Sequence, residues 1–179
     1  MSETVYCYDG YHGTSLDAYH NIKKDTFKYE YRKDHWLGNG IYFYQDDFDE
    51  AEWFSKQCKN VKYGGQESCV LRCLIKAYEG RVLNLSTGFG WEIFKKRYQE
   101  VKSLSLEYGI EVSGNAEKII MCTICDSFDE EFDVIIKTFS QNNKKRKNDD
   151  VSKYLSPQNI QICVKKVNCI VSMNKVERG

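Results

Sequence analysis

The segment Trp36-Leu37-Gly38-Asn39-Gly40-Ile41-Tyr42-Phe43, which follows Tyr11-His12-Gly13-Thr14 across one short helix and a loop, constrains this chain more than any other feature. Glycines carry no Cβ, so backbone can come close to a ligand there, and an aromatic-rich strand beside them offers a flat stacking face. Such a pairing suits a planar, cationic ring. It asks for a fold in which an imidazole and separated aromatic side chains converge on one cleft.

The rest of the chain alternates strand and helix signals. Val5 to Tyr8 starts a β-type run into His12, and Ser15 is placed to cap a helix over about residues 16–24, with Leu16, Tyr19 and Ile22 on one face. Residues 25–37 mix aromatics with charges without a clean period, the pattern of a long functional loop. Gly40 to Gln45 reads as a strand, followed by a helix opened at Asp46 or Asp47 and bearing Phe48, Ala51, Trp53 and Phe54. Cys69 to Ala77 alternates and ends at Glu79-Gly80, so Arg81 to Leu85 is expected to return along it as a hairpin. Helices are expected over 91–108 and 115–125, together a helical insertion of about 88–126. Strands follow at 132–139, 160–164 and 169–173, with a polar loop at about 140–157. Strands at both ends bracketing helices imply an α+β fold.

Length and charge narrow the function classes. At 179 residues a single domain over 1–179 suffices. With 26 basic and 26 acidic side chains, the net field gives no general attraction to nucleic acid or anionic lipid, so any such contact must be local. No apolar run reaches the length of a membrane span, and Met1-Ser2-Glu3-Thr4 has neither a basic n-region nor an apolar h-region, so no membrane association and a cytoplasmic location are expected. The eight cysteines lie mostly in apolar runs and read as reduced and buried. Cys122-x-x-Cys125 and Cys69-x-x-x-Cys73 could be imagined as zinc ligands, but both fall where small buried hydrophobes belong, so no metal is expected.

The motifs His12-Gly13-Thr14 and Gly38-Asn39-Gly40-Ile41-Tyr42-Phe43, in this order, resemble those of the ADP-ribosyltransferase superfamily in its diphtheria-toxin-like, poly(ADP-ribose) polymerase-like branch. The resemblance covers roughly residues 5–60 and 157–171. It implies a split mixed or antiparallel β-sheet with flanking helices, and NAD as substrate. It puts His12 at the position that hydrogen-bonds a ribose hydroxyl, Gly13 at the backbone that bonds the nicotinamide carboxamide, and Thr14 along the same pocket. Tyr42 matches the residue that stacks on nicotinamide, and Trp53 the second aromatic of the clamp, although Trp53 reads equally as a core residue. Where the family has a small hydroxyl residue three places before that aromatic, this chain has Glu50. Where it has a late-strand Glu, this chain has Gln161 in Gln158-Asn159-Ile160-Gln161-Ile162-Cys163-Val164, with Gln158 the less favoured register.

A glutamine can orient the sugar but contributes far less charge stabilisation than a carboxylate, which disfavours polymer elongation and leaves single-unit transfer. His12, Tyr42 and Gln161 are thus the expected catalytic triad. Arg32 stands in the loop that, in the family, passes over the NAD pyrophosphate. Lys144, Lys145, Arg146 and Lys147 fall in the acceptor-side loop, where they could meet nucleic-acid phosphates or simply be solvated. The resemblance therefore implies a mono-ADP-ribosyltransferase acting on RNA, DNA or protein, of a kind found among bacterial toxins and phage-defence effectors, with an antitoxin as a partner. A catalytically silent NAD- or ADP-ribose-binding module, an NAD glycohydrolase, and a nucleic-acid-binding protein relying on Lys144–Lys147 stay open as alternatives.

Overall fold

In the computed structural model, which describes residues 3–61, 64–107, 116–140 and 158–178, eleven consecutive residues of β1 (Val5–Ser15) pair antiparallel with β3 (Ser68–Tyr78). The other strands are β2 (Ile41–Gln45), β4 (Val82–Asn84), β5 (Val134–Ser140), β6 (Gln158–Val164) and β7 (Ile170–Val176). They form one mixed seven-stranded sheet in the order β4-β5-β6-β2-β1-β3-β7. Among the described residues there are four α-helices: α1 (Leu16–Lys24), α2 (Phe48–Val61), α3 (Gly88–Glu107) and α4 (Ala116–Asp126). The architecture is α+β.

Strand alternation gives each face of the sheet its own core. One face gathers Ile41, Phe43, Leu71, Ile75, Ile136, Ile162 and Val164, with Phe27 closing over them and Tyr19 and Ile22 of α1 packed alongside. The α1 start is capped as its sequence implies, since the Ala18 N–H donates to Ser15 Oγ at 3.1 Å. The second face gathers Leu83, Ile135 and Cys163 under Phe94 of α3 and Ile124 and Cys125 of α4, with Leu37 and Phe128.

One expectation is corrected. The segment after β3 does not return as a hairpin. A 3₁₀ turn at Glu79–Arg81 carries the chain to the far edge, where β4 pairs parallel with β5. The reason is twofold: β7 occupies the edge of β3, and Arg81 is tied to the foot of β5. Its guanidinium meets Asp133 at 2.6 Å, and its carbonyl accepts the Asp133 N–H at 2.9 Å. The two helices expected over about 88–126 are α3 and α4. Parallel neighbours need a long crossover, and these two helices are that crossover, supplying half of the second core.

All eight cysteines are free and six are buried, Cys7 being exposed and Cys58 half-buried. Among the described residues, no helix is long and apolar enough to cross a membrane. The polar segment carrying Lys144, Lys145, Arg146 and Lys147 lies outside the described residues.

Candidate functional site

The β1–β2 ladder has only two rungs, Gly10–Gln45 and Tyr11–Tyr44. Beyond them β1 stays on β3 as far as Ser15, while β2 stays on β6 from Tyr44–Gln161 back to Ile41–Val164. The two strands therefore part, and His12 stands where they fork. Its Nδ1 donates to the Tyr42 carbonyl at 2.7 Å. A carbonyl only accepts, so Nδ1 carries the proton and the tautomer is set. The ring is held edge-on to Phe27 at 5.5 Å and against Phe43 at 5.6 Å, on the face of the first core. Thr14, buried and of the same strand parity, faces that side too.

Gly13 presents backbone to the fork. The Asp9 carbonyl accepts the Asp46 N–H at 2.9 Å, which fixes the β2-facing edge of β1. Peptide groups repeat every second residue, so those of Tyr11 and Gly13 point the same way, and those of Gly13 lie past the last rung. On the second face α2 rests directly on this glycine. A Cβ there would come within 2.1 Å of the Ala51 carbonyl oxygen and 3.0 Å of the Ser55 nitrogen.

Tyr42 turns to the second face. Its hydroxyl donates to the Gly38 carbonyl at 2.7 Å and accepts the Leu37 N–H at 2.9 Å, and His35 lies edge-on to the ring at 5.3 Å. Burial pushes its phenol well above the ordinary value of 10, so it acts as a neutral ring and a hydrogen-bonding post. Tyr42→Phe keeps the ring but orphans the buried Leu37 N–H and leaves the Gly38 carbonyl only the long contact from Cys163 Sγ at 3.8 Å. It should lower stability by about 1–3 kcal/mol in chemical denaturation. A loss near zero would mean that water reaches both groups.

Trp53 is 56% exposed. At about 100° per residue it stands on the side of α2 opposite Ala51, hence away from Gly13. The aromatic that α2 turns toward β2 is Phe54, 6.3 Å from Tyr44. The structure thus brings the backbones of Gly13 and Tyr42 together with the His12 imidazole at the fork, but sets the His12 ring on the first face of the sheet and the Tyr42 ring on the second. It leaves Trp53 on the outer surface of the helix, so the rings do not converge on one cleft as the sequence led one to expect. Gln161 lies on the second face, half-buried, opposite Tyr44 on β2 and Lys137 on β5. Beside it, Asn159 Nδ2 donates to Glu50 Oε2 of α2 at 3.4 Å. Burial, then the Asp47 charge, raise the Glu50 carboxyl. Burial, then Glu50, raise the Tyr44 phenol to about 12.

The loop between the motifs is anchored by residues that sequence reasoning gave no role. Arg32 contributes its backbone: its N–H donates to Asn39 Oδ1 at 2.7 Å and its carbonyl accepts Asn39 Nδ2 at 2.9 Å, while its side chain is exposed. Asn39 also donates to Asp126 through its backbone N–H at 2.5 Å and its Nδ2 at 2.6 Å. Asp126 in turn meets Lys165 Nζ at 2.8 Å, with Asp129 at 3.0 Å from the same ammonium. The Lys165 side chain is 1% exposed. Gly38, at φ +77°, lies against this ion pair, where a Cβ would sit 2.4 Å from Asp126 Oδ1. The sequence signals were an Asn between two glycines and a lysine closing the apolar run Ile162-Cys163-Val164.

Two concavities lie elsewhere and include none of His12, Tyr42 and Gln161. One of about 160 Å³ is bounded by Phe48, Ser55 and Lys175, and one of about 240 Å³ by Ile93, Arg97 and Phe132. Comparison with family models, with curated proteins and with solved structures finds no match to this chain.

Proposed function

We propose that the chain is an NAD-dependent mono-ADP-ribosyltransferase, which breaks the nicotinamide–ribose bond and passes one ADP-ribose to a macromolecular acceptor. The observation that carries this reading is the fork after Tyr11–Tyr44, into which Gly13 turns its peptide groups and across which His12 holds the Tyr42 carbonyl. A peptide edge past the last rung suits a carboxamide, which both donates and accepts. His12 binds and orients the ribose, Tyr42 offers its ring to nicotinamide, and Gln161 positions the sugar. Thr14 borders the slot, and the loop of Arg32 forms its outer wall.

The acceptor is a nucleic acid, RNA above all, or a protein, met by the loop of Lys144, Lys145, Arg146 and Lys147. The cellular setting is that of a cytoplasmic toxin or defence effector held in check by an antitoxin. Purified protein incubated with labelled NAD and RNA, DNA or lysate should transfer label that nuclease or protease then removes. His12→Ala should cut nicotinamide release about 100-fold by misplacing the sugar. Wild-type rates from that variant would end the reading. Because Gln161 is neutral where a carboxylate is expected, a silent binding module is the second reading; NAD binding without turnover would select it, and nicotinamide release without transfer would indicate a glycohydrolase.

A further inference from the structure

Resting on that reading, we infer that Glu50 of α2 supplies at the sugar the carboxylate that Gln161 lacks, with Asn159 as its positioning partner. Three placements converge on this. Tyr44 is opposite Gln161, and Asn159 stands two residues before Gln161, hence on the same face. Glu50 and Phe54 are one helical turn apart, so they share a side of α2. That side is turned to this face, since Phe54 lies 6.3 Å from the Tyr44 ring and Glu50 Oε2 accepts from Asn159 Nδ2 at 3.4 Å.

The other carboxylates at the start of α2 have different tasks. Asp47 Oδ1 accepts the Glu50 N–H at 3.0 Å, and Asp49 pairs with Arg178 at 2.8 Å. Asn159 gives an independent sign of a ligand. It is only 7% exposed, and its Oδ1 has no hydrogen-bond partner among the described residues. A buried acceptor of this kind calls for a donor, and a ribose hydroxyl is one. Partial burial of Glu50 strengthens its charge effect on a cation forming nearby.

In the reaction the C1′–N bond breaks heterolytically and its electron pair goes to the pyridinium nitrogen, so nicotinamide leaves neutral. The positive charge passes to the C1′–O4′ unit. Glu50 accepts a ribose hydroxyl proton in a hydrogen bond and stabilises that charge. The acceptor nucleophile then bonds to C1′ and releases its proton to solvent, so the balance is NAD plus acceptor giving ADP-ribosyl-acceptor, nicotinamide and one proton.

The test is steady-state nicotinamide release from NAD by the full chain. Glu50→Gln should lower kcat about 100-fold, with KM for NAD within about threefold. Adding Gln161→Glu to that variant should restore much of the loss, a rescue that a merely structural Glu50 would not allow. Wild-type kcat should fall on an acid limb lying above the ordinary glutamate value of 4.5, and Glu50→Gln should erase that limb. The wild-type profile needs no variant: a kcat with no acid limb above the ordinary glutamate value of 4.5 overturns the inference. A Glu50→Gln protein as fast as wild type, with wild-type NAD cleavage intact, overturns it and leaves the transferase reading standing. A wild-type protein that neither binds nor cleaves NAD ends both.

Discussion

Gly13→Ala should destabilise the protein by on the order of 3 kcal/mol, among the largest effects of any single methyl addition in this chain. The added carbon would lie 2.1 Å from the Ala51 carbonyl oxygen. The obstacle is helix backbone, so no side-chain rotation relieves it and α2 must lift from the sheet. Ala51 and Ser55, both fully buried, would lose their seat, and the fork would lose its roof. Gly88→Ala is the matched control, because a Cβ there meets nothing within 4 Å. Denaturant midpoints of the two variants compare them directly. A Gly13→Ala protein within about 1 kcal/mol of wild type would show that α2 does not rest on β1 as described.

Lys165→Met should have a comparable effect through electrostatics. Removing one partner of a buried ion pair typically costs about 3–5 kcal/mol, and the partial exposure of Asp126 and Asp129 puts this pair at the lower end of that range. Here two carboxylates, Asp126 and Asp129, would be left facing each other without their common cation. Asp126 would also hold Asn39 less firmly, so amide exchange at Asn39 should accelerate together with the loss of global stability. Exchange at Asn39 unchanged in Lys165→Met would sever the proposed link between ion pair and loop.

The pH dependence has a definite sign. Burial alone would raise the Asp126 carboxyl, but the Lys165 ammonium and the two Asn39 N–H groups outweigh it and leave it below the ordinary 3.8. Its stabilisation is therefore complete above that value and disappears as pH falls through the lower, folded one. Burial alone would lower the Lys165 ammonium, but Cys163, Asp126 and Asp129 raise it above the ordinary 10.5. That contribution is complete below 10.5 and is lost as pH rises through the higher folded value. Lys165→Met should remove the alkaline limb and weaken the acid one.

Local signals carried most of the fold. Ser15 as a helix cap, the alternation of Cys69 to Ala77 and the apolar run of Ile160 to Val164 each depend on neighbours in sequence, and each element stands where its pattern puts it. The β4 placement was not legible, because it depends on Arg81 reaching Asp133 and on β7 taking the edge of β3. Neither is written in the turn at Glu79-Gly80. At the site, the closeness of His12, Gly13 and Tyr42 follows from two glycine-bearing motifs on neighbouring strands. The direction of Trp53 did not, since counting along a helix assigns a position and only the seating of Ala51 on Gly13 decides which side faces inward. Asn39, Asp126 and Lys165 come from three separate segments, so their meeting is a property of the tertiary structure alone.

The two-rung seam between β1 and β2 divides the sheet into a three-stranded part, β3-β1-β7 in membership, and a four-stranded part. The chain passes from one to the other at β1 to β2, β2 to β3, β3 to β4 and β6 to β7. Covalent stitching thus does what ladder bonds do elsewhere. Severing any one connection leaves three others, and Gly64-Gly65, where an added Cβ would meet nothing within 4 Å among the described residues, offers a natural place to cut the chain or to set new termini by circular permutation.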